Sequence, residues 1–196
     1  MSPQIQQQVI ERFEQTGAYL KGHFRLTSGL HSPEYLQCAK VLQYPAIAAE
    51  FGAAIAEWFK GQGTAGVVVA PAMGGLIIGH EVARALGLRF IFTERDGDGK
   101  MTLRRGFALE PGEKAVLVED VITTGGSSLE VIELLRSAGA EVLAAGSIID
   151  RSGGTANLGV PRVALATVTV TTYSPEACPM CQQGLPVQKP GSRPGK

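Results

Sequence analysis

Two acids side by side, followed two residues later by a run of hydroxyls and glycines, form the stretch of this chain best equipped for chemistry: Glu119-Asp120-Val-Ile-Thr123-Thr124-Gly125-Gly126-Ser127. Adjacent carboxylates accept hydrogen bonds from neighbouring hydroxyls of a diol. A small glycine-rich loop lets backbone N–H groups converge on an anion, and a helix starting just after it adds the positive end of its dipole. A ligand with both a diol and a phosphate meets both demands, and a phosphorylated ribose is one. Acids and glycines also serve plain turns with solvated carboxylates, so the residues alone leave both readings standing. The P-loop lysine and the G-x-G-x-x-G of a dinucleotide fold are missing, which disfavours those two phosphate sites.

Cys178-Pro-Met-Cys181 is the other arrangement with chemical potential, as a redox pair or half of a metal site. A structural zinc takes about four ligands. No second C-x-x-C exists, and the three histidines are distant in sequence, so the reading favours a local C-terminal structural element. Cys38 stands alone and reads as a small core residue.

The elements that position these groups follow from hydrophobic spacing. Ala115 to Val118 is a short apolar run suited to a strand buried on both faces, and it ends at the acid pair. Ser127 with Glu130 reads as a capping box, Leu129, Ile132 and Leu135 as the following helix's apolar stripe, and Gly139 as its stop. Gly66 to Ala70, Arg89 to Thr93, Glu141 to Ile149 and Arg162 to Thr169 are further strands. Helices are expected from Ile5 to near Gly17, from Pro45 through Phe59, and from Ile77 to Leu86. Strands alternating with helices predict an α/β fold with a central, mostly parallel sheet flanked by helices. Gly17 to Gln37, broken by Gly22, Gly29 and Pro33, predicts a small antiparallel lobe. The polar loops Pro71 to Gly75, Glu119 to Ser127 and Asp150 to Gly154 would then open on one edge of the sheet. Glu94 to Gly106 reads as an exposed, flexible loop, basic toward its end.

The 196 residues, 44% of them hydrophobic, suffice for one domain over 1–183, with a Pro-, Gly- and Lys-rich tail over 184–196 expected to be disordered. Eighteen basic residues balance eighteen acidic ones, so no overall positive field recruits nucleic acid. No apolar run approaches the roughly 18 residues that a membrane span needs, and the N-terminus does not read as a signal peptide, so a cytoplasmic protein is expected.

The segment from Ala115 to Glu130 resembles the phosphoribosyl-pyrophosphate motif of the type I phosphoribosyltransferases: apolar strand, two acids, two apolar residues, then Thr-Thr-Gly-Gly-Ser. Over most of Gly17 to Tyr173 the chain is most similar to the orotate-using branch of that family. Leu26-Thr-Ser-Gly-Leu-His-Ser-Pro-Glu-Tyr-Leu36 resembles the S-G-x-x-S-P signature that builds a hood over the base, a lobe contributed mainly by 17–40. Ile148-Ile-Asp-Arg-Ser152 is similar to the strand end whose arginine binds the orotate carboxylate. A planar guanidinium suits that task, since it engages a carboxylate through two parallel hydrogen bonds. The plainer alternative for Arg151 is a surface ion pair with Asp150. Purine-using relatives place Asp where this chain has Thr123, which removes a proton-handling carboxylate and disfavours purines.

The resemblance implies a Rossmann-like fold and displacement of pyrophosphate from the ribose by orotate, giving orotidine 5′-monophosphate in pyrimidine biosynthesis. It implies Mg²⁺ bound mainly through the substrate, with Glu119 and Asp120 at the ribose hydroxyls directly or through metal-bound water. Thr123, Thr124, Gly125, Gly126 and Ser127 would take the 5′-phosphate, and Met73, Gly74 and Gly75 the pyrophosphate. Tyr35 and Thr27 would contribute from the hood, Thr27 standing where the family has a lysine. A homodimer sharing a mobile basic loop is expected. That loop departs from the family pattern: Arg95 is followed by Asp96, the loop is shorter, and it holds no histidine. Lys100 is the candidate for the catalytic lysine, with Arg95, Arg104 and Arg105 adding charge. The rivals are transfer to uracil or a purine, and a non-catalytic sensor that binds nucleic acid, for which no helix-turn-helix or basic face is seen.

Overall fold

A computed structural model describes residues 1–26 and 28–190; Thr27 and 191–196 lie outside the described residues. The chain runs α1 (Pro3–Gln15), β1 (Tyr19–Arg25), β2 (His31–Leu36), α2 (Cys38–Leu42), α3 (Pro45–Phe59), β3 (Val67–Pro71), α4 (Gly75–Leu86) and β4 (Arg89–Arg95). It continues with β5 (Met101–Leu103), β6 (Lys114–Ile122), α5 (Gly126–Ser137), β7 (Glu141–Asp150), β8 (Arg162–Thr167) and α6 (Pro179–Gln182). A six-stranded sheet has the order β5-β4-β3-β6-β7-β8, parallel except for the β4/β5 pair, and β1 and β2 form a separate antiparallel hairpin.

Alternation along the central strands explains the layers. Val68 of β3 and Val116 and Val118 of β6 pack with Phe51, Ile55, Ile78 and Val82 on the face covered by α3 and α4. Val67, Val69, Ala115 and Leu117 face the opposite way, onto Val131, Ile132 and Leu135 of α5. Both faces are therefore apolar, as a parallel sheet between helix layers requires. From β3 the chain moves to β4 on one side and later to β6 on the other, so the strand order reverses between β3 and β6. Ligands of open α/β sheets bind at such a reversal.

Three expectations change. The capping box does not form: α5 begins earlier, with Gly125 in the left-handed conformation as its N-cap, and Glu130 pairs instead with Arg95 at 2.8 Å. Because the helix is set this way, its buried stripe is Ser128, Val131, Ile132 and Leu135, and Leu129 is exposed. The segment from Glu94 to Gly106 is partly a β-hairpin, β4 and β5, closed by a turn in which Asp96 Oδ1 accepts from the Asp98 and Lys100 amides. Charged side chains fit an edge hairpin because only its backbone needs pairing.

Of the tail over 184–196 expected to be disordered, 191–196 lie outside the described residues, while the described part, 184–190, pairs with the hairpin at Gln188. Gln188 bridges Phe24, its amide donating to His23 O at 2.8 Å while its carbonyl accepts from Arg25 N at 2.8 Å. Backbone pairing to a strand edge needs no apolar spacing, so composition does not reveal it. His31 and Tyr173 likewise exchange two backbone hydrogen bonds of 2.9 Å. The last described segment thus lies along the hairpin.

Candidate active site

β6 pairs with β3 only as far as Leu117 but with β7 as far as Ile122. Beyond Leu117 its β3-facing edge is free, and a crevice opens where the acids stand. Glu119 and Asp120 point to opposite faces of the strand. Glu119 lines a cavity of about 380 Å³ with Thr123, Thr124, Gly125, Gly126 and Ser127, while Asp120 lies against the backbone of Gly74. A Cβ added at position 74 would stand 2.5 Å from Asp120 Oδ1, so the β3 loop reaches the acid only because it carries glycine there. Met73 is 82% exposed at the loop's tip, and the Ala72–Met73 peptide is cis.

Gly125 has φ +86°, and an added Cβ would meet Leu158 at 2.8 Å, so glycine is required twice over. No side chain caps α5, and the first amide donating within the helix is that of Leu129, to Gly125 O. The amides of Gly126, Ser127 and Ser128 are left for an external acceptor. An anion at this cup also meets the positive end of the α5 dipole.

Neither acid points into bulk water. Burial, with the Asp120 charge beside it, pushes the Glu119 carboxyl well above its usual value. Burial also raises Asp120, against hydrogen bonds from the Val121 amide at 2.9 Å and from its own backbone. No salt bridge to either acid occurs among the described residues. A buried and a half-buried acid without a cation are costly in the free protein and suited to a ligand rich in hydroxyls or carrying a divalent ion.

That cost has a sign that a melt can read. A raised folded-state pKa means the unfolded chain loses its proton first as pH rises, so stability falls through the interval between the two values. Ligand-free Glu119→Gln is therefore expected to melt higher than the parent at pH 8, by about 2–4 °C for each kcal/mol relieved. The difference should vanish near pH 4, about where a free glutamate protonates. Thermal melts across this range check it, and a lower melting temperature at pH 8 would refute it.

Arg151 lies at the next strand end. Its amide donates to Ile122 O at 2.8 Å, which ties it to the strand carrying the acids. Its side chain lines a second cavity, of about 680 Å³, which shares Ser28, Thr123, Thr124 and Ser127 with the first. The ion pair weighed for Arg151 goes to another residue: Asp150 Oδ2 accepts from Arg162 at 2.7 Å, and Oδ1 accepts from the Ser152 amide and hydroxyl at 2.7 and 2.6 Å. Burial raises the Asp150 carboxyl, but those bonds outweigh it and bring it down overall. Arg151 Nε is buried with no hydrogen-bond partner, and burial lowers the guanidinium's pKa. Tyr35 is half-buried nearby; burial raises its hydroxyl pKa and Arg151 opposes the rise.

The structure thus joins Glu119, the cup from Thr123 to Ser127, and Arg151 along two adjoining cavities, with Asp120 and Gly74 beside them. The basic loop borders the first cavity only through Glu130, which lines both that cavity and the groove of Lys100. Arg95 is held by Glu130 and by Gly99 O, and Arg105 by Glu94 at 2.6 Å over the Phe92 ring. Lys100 stands in a groove against Glu130, Glu133 and Ser137 of α5, while Arg104 is exposed. Thr27 lies outside the described residues. Ser28, Thr155, Asn157 and Thr172 also line the Arg151 cavity and were not singled out in the sequence. Ser28 lies inside the hood signature, but the other three sit in loops with no motif to mark them.

A parallel sheet with this cup at its reversal point defines a phosphoribosyltransferase, and residues 38–158 match the family described as the phosphoribosyl transferase domain. The chain is 56% identical over 187 residues to an orotate phosphoribosyltransferase of Desulforamulus reducens, covering 95% of this chain and 97% of that one. It is 54% identical to that of Pelotomaculum thermopropionicum, with 95% and 97% covered. The orotate phosphoribosyltransferase of Aeropyrum pernix superposes with a TM-score of 0.70 at 27% identity, over 82% of this chain and 93% of that chain. The chain belongs to the orotate phosphoribosyltransferase family. No described helix is long and apolar enough to cross a membrane.

Proposed function

We propose that the chain transfers the 5-phosphoribosyl group from phosphoribosyl pyrophosphate to orotate, releasing pyrophosphate and orotidine 5′-monophosphate. The observation that carries the choice of base is Arg151: its neighbouring acid is already paired and its buried Nε lacks a partner, so it has hydrogen-bonding capacity for an acidic base. The orotate ring nitrogen forms a bond to the anomeric carbon as the carbon–oxygen bond to pyrophosphate breaks. Positive charge gathers on the ribose and negative charge on the leaving group, so the protein's task is electrostatic. Glu119 and Asp120 hold the ribose hydroxyls beside that positive charge, and the α5 amides hold the 5′-phosphate. The Met73-Gly74-Gly75 loop receives the pyrophosphate.

Mg²⁺ fits these residues. The acids offer hard oxygen donors in a pocket short of positive charge, and the ion when bound would neutralise pyrophosphate oxygens. Glu119 and Asp120 would meet it directly or through its waters.

The reading includes a cytoplasmic homodimer in which Lys100, with Arg95 and Arg104, serves the cup of the other subunit. It is supported by the position of Lys100, in a groove that Glu119 and Asp120 of its own chain do not line. The test is orotate consumption with phosphoribosyl pyrophosphate and Mg²⁺, followed by absorbance and repeated with uracil, adenine and hypoxanthine. Turnover with orotate alone is expected. Turnover confined to another base would move Arg151 out of its role, and none with any base would overturn the transferase reading.

A further inference from the structure

Four side chains outside the active site converge at the junction of the hairpin and the C-terminal segment. The ligand atoms of His23, His31, Cys178 and Cys181 all lie within 4.8 Å of one another. We propose that they form a tetrahedral two-cysteine, two-histidine site for a structural zinc ion, which clasps the C-terminal segment to the base of the hood. The histidines, far from the cysteines in sequence, are brought to them by the β1/β2 hairpin.

The geometry is that of a coordination shell. Bonds of about 2.0–2.3 Å to a tetrahedral ion put its ligand atoms about 3.3–3.8 Å apart. Cys181 Sγ is 3.3 Å from His31 Nδ1 and 3.7 Å from His23 Nε2, and Cys178 Sγ is 3.5 Å from His23 Nε2. His23 Nε2 and His31 Nδ1 are closer, at 2.8 Å, and would part by about 0.5–1 Å around an ion. On the far side of its ring, His23 Nδ1 lies 2.8 Å from Leu185 O. Donation to that carbonyl places the proton on Nδ1 and leaves the Nε2 lone pair facing the cluster, as metal-binding histidines require. Cys178, His23 and His31 are buried while Cys181 is exposed, which gives an ion a way in.

The donors select the ion. Two thiolates and two imidazoles in a tetrahedron suit zinc and not Mg²⁺, and binding would release the two thiol protons. The surroundings supply the purpose. An isolated two-stranded hairpin is marginal in water, and α6 spans only Pro179–Gln182. His23 and His31 stand on the two stems of the loop whose Leu26, Ser28 and Leu30 line the Arg151 cavity. An ion joining those stems holds the base-facing loop in shape.

Full-length protein purified without chelator should contain about one zinc per chain by elemental analysis, with only traces in Cys178→Ser and Cys181→Ser. After stripping with chelator under reducing conditions, the parent should melt lower, and one equivalent of Zn²⁺ should restore it. One equivalent of Co²⁺ should give the visible bands of a tetrahedral ion together with thiolate-to-cobalt charge transfer. Should the serine variants fail to fold, the cobalt spectrum of the parent decides. A parent without metal that yields no such spectrum, zinc retained in both variants, or a Cys178–Cys181 disulfide persisting in the zinc-supplemented protein would each overturn the proposal. None of these readouts depends on transferase activity.

Discussion

Mixed with Asp120→Asn, the Lys100→Ala chain is expected to recover about a quarter of parental turnover, because random exchange makes about half the dimers hybrids with one intact site each. Alone, the lysine variant should lose about 10²–10³ in kcat, the scale of removing a charge that meets a developing anion, with phosphoribosyl pyrophosphate binding little changed. Asp120→Asn, which weakens the hold on the ribose, should also be nearly silent by itself. The expectation rests on Lys100 sharing a groove with Glu130, Glu133 and Ser137 that its own chain's Glu119 and Asp120 do not line. Subunit exchange under mild denaturant, followed by the absorbance assay, makes the measurement. Mixtures no more active than their components would return Lys100 to its own subunit or to solvent. An unchanged kcat in Lys100→Ala would remove it from the chemistry altogether.

Arg151→Ala should raise the KM for orotate by about 10- to 150-fold, the loss of a charge-assisted hydrogen bond worth about 1.5–3 kcal/mol. The KM for phosphoribosyl pyrophosphate should stay within about twofold, since the phosphate cup lies on β6 and α5, not on the β7 loop. The Arg162–Asp150 pair makes this a clean substitution: Asp150 keeps its three hydrogen bonds when Arg151 is cut back. Arg151→Lys should recover only part of the loss, because an ammonium lacks the planar fork that matches a carboxylate. Equal changes for both substrates would mean that Arg151 shapes the pocket without reading the base.

The sheet and the cup were legible because both are written locally. Ala115 to Val118 is apolar at every position, as a doubly covered strand must be, and the acids and glycines follow within the next nine residues. The same local rules misplaced the start of α5. Ser127 and Glu130 have the spacing of a capping box, yet Gly125 takes the cap by adopting a conformation closed to most residues, and Arg95 takes the glutamate from 35 residues away. Arg151 was visible as a strand-end arginine, but its freedom was not, because that depends on Arg162 reaching Asp150 first. Most hidden was the meeting of His23 and His31 with the C-x-x-C, more than 140 residues apart in sequence. Nothing near any of the four residues announces the others, because the backbone pairing of β1 with Gln188 and of His31 with Tyr173 brings them together.

That pairing has a bearing on how the molecule is made. A ribosome delivers the β1/β2 hairpin well before the strip that braces it, so the hairpin waits unsupported while the sheet between them is synthesised. Closing so long a loop is slow relative to local folding. The nascent chain can therefore complete the sheet and the cup at the start of α5 before its hairpin lobe is braced, so the two parts of the molecule mature in a fixed order.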